Sequence, residues 1–342
     1  MNRRTWTMLV SLGLAMTFGL LGGVATVPYV ALRPGPTFDT LGVVDGTTVV
    51  DIQGTQTYPT AGHLNMTTVS VLTHITLYGA MGLWASGSSA LVPREEIFPP
   101  NLSEQQIEQQ NQQLFQDSES QAEAAALRYL GYPTRVVVDR ILPDGAAREK
   151  LTAADALLTL DGQEVSTAQQ VVDSLEGTRP GQIVQVGFQR GDTPVREVAV
   201  ELGSGPQPDR GYLGLGLADQ PDVDFDITIS LADVGGPSAG LMFALSIVDK
   251  LTPGPLAGDT FVAGTGEIQP TGEVGPIGGI PFKMIRARQA GATVFLVPAG
   301  NCDEAVARVP EGLALVRVES LAGAVNALDA LRAGEQPPTC AP

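Results

Sequence analysis

Lysine and histidine are scarce in this chain of 342 residues: the lysines are Lys150, Lys250 and Lys283, and the histidines are His63 and His74. Chemistry that needs an amine or an imidazole has very few candidates. Basic residues number 20 against 37 acidic ones, for a net charge of −17, which excludes the basic patches that nucleic-acid binding requires. The two cysteines, Cys302 and Cys340, have no histidine nearby in sequence, so zinc lacks a ligand set and no metal or cofactor is expected. No G-x-x-x-x-G-K-[ST] loop occurs, because no lysine is followed by serine or threonine; an ATP site is not encoded. Charged residues are 17% and hydrophobic ones 43%, a composition that excludes a largely disordered protein. The length points to two or three domains.

What the chain does have begins with a long apolar run. Between Arg4 and Arg33 there is no charged residue, and the stretch exceeds the roughly 20 residues that cross a hydrocarbon layer. Arg3 and Arg4 precede it, which orients the bulk of the chain outside the cytoplasm. The region Val24-Ala25-Thr26-Val27 lacks a clean small-x-small cleavage site, so the reading is an uncleaved, single-pass signal anchor, with a cleaved signal peptide as the alternative. Both cysteines follow it, and an oxidising compartment permits a disulfide that ties down the C-terminal tail; two unpaired thiols is the other reading.

Short β-branched runs between Gly, Asp and Pro breakers, at Val43-Val44, Val49 to Ile52 and Val69 to Leu77, predict strands within residues 36–90. Ser103-Glu104-Gln105-Gln106 has capping-box spacing and opens a Gln/Glu-rich helix ending at Gly131; its glutamines read as a solvated face. From Tyr129 to Leu202 the order is a strand (Thr134 to Ile141), a short helix (Gly145 to Leu151) and a strand (Ala156 to Leu160) ending in the turn Asp161-Gly162. A helix (Thr167 to Leu175) and two strands around Arg190-Gly191-Asp192 complete it. This order, with Leu142-Pro143-Asp144-Gly145-Ala146-Ala147 and Asp155 to Gly162, resembles a bacterial PDZ domain. Ala154-Asp155 departs from the usual Gly-Asp. The resemblance implies a groove between the second strand and the later helix that accepts an extended peptide. A linker, Gly203 to Gly211, follows.

Val223, Phe225, Ile227, Ile229 and Leu231 alternate with polar or small residues and predict a strand with one buried face. It runs through Asp233 into Gly235-Gly236-Pro237-Ser238-Ala239-Gly240 and an apolar helix to Val248. A serine at a helix tip suits a nucleophile, because unpaired N–H groups and the positive dipole end stabilise negative charge. Taken alone, Ser238 is as readily an N-cap. Further on, Gly264-Thr265-Gly266-Glu267 precedes Gly272 to Lys283, which contains Pro276-Ile277-Gly278-Gly279. These two segments, in this order and spacing, resemble the C-terminal proteolytic domain of Lon proteases, peptidase family S16, over residues 210–330.

The resemblance implies Ser238 as nucleophile, Lys283 as general base of a Ser–Lys dyad, and Thr265 as the hydroxyl that hydrogen-bonds the lysine. Backbone N–H groups near Gly236 and Ser238 would hold the oxyanion. A lysine at its ordinary pKa of about 10.4 cannot take a proton, but burial lowers that value, and Lys283 stands between Ile280-Pro281-Phe282 and Met284-Ile285. Some Lon proteases carry an acid three positions before the serine; here that position is Gly235, with Asp233 two residues earlier.

The expected fold class is α+β: an N-terminal transmembrane helix, a PDZ-like domain and a C-terminal Lon-type proteolytic α/β domain to which the early strands can contribute. The expected division is 1–32 anchor, 33–103 β-rich segment, 104–130 helical connector, 131–204 PDZ-like domain, 205–335 proteolytic domain and 336–342 tail. The expected activity is an ATP-independent, membrane-anchored serine endopeptidase acting on extracytoplasmic proteins or peptides. A catalytically silent, membrane-tethered peptide-binding scaffold is the alternative. Homo-oligomerisation is implied by the resemblance alone. A Ser–His–Asp hydrolase would need His63 or His74, which precede Ser238 by a long way and lack a G-x-S-x-G elbow.

Overall fold

Strands that alternate between two apolar faces need a cover on each side, and three segments of this chain, 261–264, 294–298 and 314–318, do so. In the computed structural model, which describes residues 3–340 except 88, 192 and 233, the strand Val294–Pro298 sends Val294 and Leu296 to one core and Phe295 and Val297 to another. Phe261–Gly264, His63–Leu72 and Ala314–Val318 share its sheet, whose order runs Ala314–Val318, Val294–Pro298, Phe261–Gly264, His63–Leu72, Tyr29–Asp39, Ala90–Pro93. Pairing is parallel from the first strand to the fourth and antiparallel beyond. The early strands therefore complete the sheet of the C-terminal part. Helices Gly240–Leu251, Leu321–Arg332 and Glu104–Tyr129 cover one face; Ile280–Ala290 and Cys302–Val306 cover the other.

Glu104–Tyr129 opens with the expected capping box between Ser103 and Gln106. It is more than a solvated connector. Phe115, Ala122, Ala125 and Ala126 are buried against Gly240–Leu251, with the Phe115 and Phe243 rings edge to face at 5.7 Å. The spacing of these residues is that of one helical face.

A second sheet holds the inserted region, in the order Arg196–Glu201, Ile183–Arg190, Asp155–Leu160, Thr134–Ile141, Leu215–Pro221. Its helix is Ala168–Ser174, capped by Thr167. Residues 145–151 form tight turns, closed by Leu151 N to Ala147 O at 2.9 Å, rather than the expected short helix. Ala154 sits at φ +69°, where the usual glycine would be unstrained. The sheet also passes the boundary expected at 204: Leu215–Pro221, beyond the Gly-Pro linker, pairs along the whole of Thr134–Ile141.

Two further strand expectations change. Of Val223 to Ala232 only Asp226–Ile229 is a strand, paired with Val50–Gln53. The strand expected through Leu77 ends at Leu72, and Leu77–Ser86 is a helix capped by Thr76 and Gly87. Its residues include no β-branched side chain, and Ala, Leu and Met favour the helix. The lead helix Arg3–Val24 is long and apolar enough to cross a membrane. At the other end of the chain Cys302 and Cys340 are bonded. The tail lies along Ala314–Val318, with Arg317 N donating to Pro338 O at 2.9 Å and a bridge between Val316 and Thr339.

Candidate active site

The loop entering Gly240–Leu251 is shaped by what surrounds it. Gly236 turns at φ +86°, a conformation that side-chain-bearing residues avoid. A Cβ on Gly240 would come within 2.8 Å of Ser118 Oγ and 2.7 Å of Ile268, so only glycine admits this approach. The helix N-cap is Ala239, without a side-chain cap. Ser238 therefore does not cap: its hydroxyl, half-buried, is 2.7 Å from Lys283 Nζ.

Lys283 lies on the first turn of Ile280–Ala290, which starts at Gly279 in a left-handed conformation. Ile280, Met284 and Ala287 of that helix are fully buried, and Lys283 is itself 2% exposed. No carboxylate pairs with it among the described residues. Burial without a counter-charge pushes its amine down from 10.5 to about 7. Thr265, fully buried, stands 2.8 Å from the same amine and donates its hydroxyl proton to Ser238 O at 2.9 Å. That proton is the only one Thr265 Oγ1 has, so toward Lys283 it accepts. Lys283 must give it an N–H, which leaves the neutral amine a lone pair free to accept the proton of Ser238 Oγ. The Ser238 carbonyl also receives Gly266 N at 2.9 Å, and Leu241 N donates to Gly266 O at 3.1 Å. The segment around Thr265 is thus stitched across the helix tip.

The expectation for Gly236 changes here. Its amide donates to Asn111 O at 2.9 Å, so in this state it is not open to an oxyanion. The amides of Ser238 and Ala239 have no hydrogen-bond partner among the described residues. Asp233 lies outside the described residues. The helix Glu104–Tyr129 that supplies Asn111 also places Ser118 Oγ 3.0 Å from Pro237 O, donating to it. Neither residue was expected at the site; the helical spacing of Phe115, Ser118, Ala122 and Ala125 was the available signal that this face is buried.

A cleft of about 530 Å³ opens over Ser238 and Lys283, with an apolar wall from Phe38, Met66, Val69 and Val234 and with Arg33 and Glu267 also lining it. His63 and His74 do not line it: His63 Nδ1 lies 2.6 Å from Asp39 Oδ2, and His74 Nδ1 lies 3.0 Å from Thr73 Oγ1.

The expected peptide groove also shifts. Asp155–Leu160, the second strand, has partners along both edges and no room for a peptide. The open edge beside the helix belongs to Leu215–Pro221. Between them is an apolar cavity of about 240 Å³, lined by Val171, Val172, Leu175, Leu213, Leu215 and Leu217. Asp219 on that strand accepts Ala168 N at 2.5 Å and pairs with Arg128 at 3.3 Å. It links both groove walls to the end of the helix that braces the serine loop.

Residues 223–328 match the family model of the Lon protease (S16) C-terminal proteolytic domain, and residues 106–202 that of the PDZ domain. The chain is 29% identical to the Lon protease of Bacillus thuringiensis (strain Al Hakam) over 271 residues, which is 67% of this chain and 33% of that protein. It is 38% identical over 114 residues to the Lon protease of Heliobacterium modesticaldum (strain ATCC 51547 / Ice1), covering 31% of this chain and 14% of the relative. The chain thus spans a third or less of the length of these curated relatives. Among solved structures, the PDZ domain of an SdrC-like protein from Listeria monocytogenes is 23% identical, covers 24% of this chain and 86% of that one, and has a TM-score of 0.23. An S16 proteolytic domain and a PDZ domain are both present.

Proposed function

We propose, from the premise that this chain joins an S16 proteolytic domain to a PDZ domain, that it is a membrane-anchored serine endopeptidase working through a Ser238–Lys283 dyad. The observation that carries this is the buried Lys283 amine 2.7 Å from Ser238 Oγ. Neutral Lys283 takes the hydroxyl proton as Ser238 Oγ bonds to the scissile carbonyl carbon. The oxyanion that forms meets the unpaired amides of Ser238 and Ala239 at the helix tip, donors of a kind worth about 100- to 1,000-fold in rate. As the C–N bond breaks, the ammonium of Lys283 returns its proton to the leaving amine. Water, deprotonated by the same amine, then releases the acyl group from Ser238. Thr265 orients the amine throughout.

Beyond Met66 the strand His63–Leu72 has no strand partner on its cleft side among the described residues, so an extended substrate can add there as a further strand. The apolar cavity beside Leu215–Pro221 docks a peptide in the same manner. No step draws on ATP, for which the chain has no phosphate loop. The lead helix anchors the protein with its bulk outside the cytoplasm. Arg3 and Arg4 ahead of the apolar run and the Cys302–Cys340 bond both fit that side.

The test is cleavage of an unfolded protein by the full chain in detergent. Ser238→Ala and Lys283→Ala should each abolish it with melting temperatures retained. Undiminished cleavage by either variant removes the dyad. A serine-reactive probe that labels only Ser238 separates the enzyme from a silent peptide-binding scaffold.

A further inference from the structure

The catalytic cleft and the membrane anchor are connected by an element whose exposed face, apart from Tyr78 against the lead helix, has no cover among the described residues. The helix Leu77–Ser86 turns Ala80 and Leu83 inward, onto Ala31 and Ile75, and presents Leu77, Tyr78, Met81 and Trp84 outward. Trp84 is 76% exposed. These outward residues recur at helical spacing and form one stripe. From Leu64 to Pro93 there is no Asp, Glu, Lys or Arg, in a chain with a net charge of −17.

The lead helix and this helix leave the protein body side by side. Thr26 bridges Thr76, and Val27 N donates to Ile75 O at 2.9 Å. The Tyr78 ring packs on the lead helix so closely that a Cβ on Gly22 would fall 2.6 Å from it, and Tyr78 Oη is 3.5 Å from Phe18 O. Phe18 to Gly22 belong to the last turns of Arg3–Val24, so at 1.5 Å per residue the contact lies within about 9 Å of its outer end. A lead helix of 22 residues is about 33 Å long, close to the hydrocarbon thickness. Tyr78 therefore lies toward the outer end of the span, where aromatic side chains settle between acyl chains and headgroups, and Trp84 shares its outward stripe.

We infer that Leu77–Ser86 is a second membrane contact, lying in the outer interface of the bilayer that the lead helix crosses. This rests on the anchor reading above. It fixes the height of the active site: Val71 lines the catalytic cleft and stands six residues before the start of the helix at Leu77, so the cleft mouth is within about 21 Å of the lipid surface. The substrates this favours are unfolded segments emerging close to the membrane.

The two tryptophans, Trp6 and Trp84, allow a direct test with the full chain in phosphatidylcholine vesicles whose acyl chains are brominated near the headgroup or near the chain end. A Trp6→Phe variant leaves Trp84 alone, and a Trp84→Phe variant leaves Trp6 alone. The expected result is loss of Trp84 emission with headgroup-proximal bromine and a smaller loss with terminal bromine. Trp6 quenched while Trp84 keeps a water-like, unquenched emission overturns the second contact and leaves the anchor standing. Blue-shifted but unquenched Trp84 also overturns it and assigns the stripe to a second copy of the chain. If neither tryptophan is quenched, the anchor falls and this inference with it.

Discussion

The amide of Gly236 donates to the carbonyl of Asn111 at 2.9 Å, which ties the loop carrying Ser238 to a helix that ends at the PDZ domain. Seven residues along that helix, Ser118 makes the second tie, to Pro237 O at 3.0 Å. The serine loop is thus held from a helix remote in sequence from both signature segments. Ser118→Ala should lower kcat about tenfold with KM nearly unchanged, and should cost about 1 kcal/mol of stability through the unpaired carbonyl. Steady-state kinetics beside thermal melting check this; a change confined to melting reduces Ser118 to a packing role.

With Lys283 as the proposed base, its amine should set the pH dependence. Its amine is held down to about 7, so kcat/KM should rise tenfold per unit toward pH 7 and level off above it, since only the neutral amine accepts the serine proton. Glu119, pushed up by burial to about 7, neighbours Ser118; Glu119→Gln should leave the profile in place, and a flattened profile reassigns it. The same burial opposes folding. The folded state binds fewer protons than the unfolded one between about pH 7 and 10.5, so this group's penalty shrinks as pH rises through that window and is greatest below it. Lys283→Met should accordingly abolish activity while stabilising the fold at pH 8, by up to about 3 kcal/mol.

Docking in the PDZ groove should be separable from cleavage. Leu217→Glu puts a charge into the apolar cavity beside Val171 and Leu175. It should abolish binding of an immobilised hydrophobic peptide, while short peptides that reach the cleft unaided are cut at the original rate. Loss of both functions together would mean that the groove is part of the catalytic fold.

Removing the Cys302–Cys340 bond releases a loop with a sequence separation of 38, which costs roughly 2–4 kcal/mol through the entropy regained by the unfolded chain. Cys340→Ser should lower Tm by several degrees, and a reducing buffer should bring the original chain to the same value.

Ala154→Gly should raise stability by about 0.5–1 kcal/mol. The alanine is held at φ +69°, a left-handed conformation that costs an L-residue about 1–2 kcal/mol, and the gain is offset in part by the greater freedom of glycine in the unfolded chain. Denaturant melts of the two forms decide it.

Much of the site was legible because it is made of backbone requirements. Gly236 and Gly240 are needed for a turn and a close approach, and residues with such requirements leave a pattern in the sequence. The strands expected at Thr134 to Ile141 and Ala156 to Leu160 were legible from β-branched and apolar runs. Helix Leu77–Ser86 was hidden because the β-branched run before it continues to Thr76. The bracing role of Glu104–Tyr129 was hidden by its glutamines, which are mostly exposed and say nothing of the opposite face. Leu215–Pro221 was hidden because a Gly-Pro linker separates it in sequence from the sheet it joins. The occupied amide of Gly236 depends on a partner from a distant helix, and no local pattern reports that.

The tail that runs beside Ala314–Val318 occupies the outermost rung of the six-stranded sheet. An uncovered edge of that kind offers unpaired N–H and C=O groups to any neighbouring chain, and is a template for stacking one molecule on another. With Thr339 bridged to Val316 and Cys340 locked to Cys302, the sheet has a built-in stop. Stacking of one molecule on another through that edge would first have to displace residues 338–339 and strain the bond that holds them.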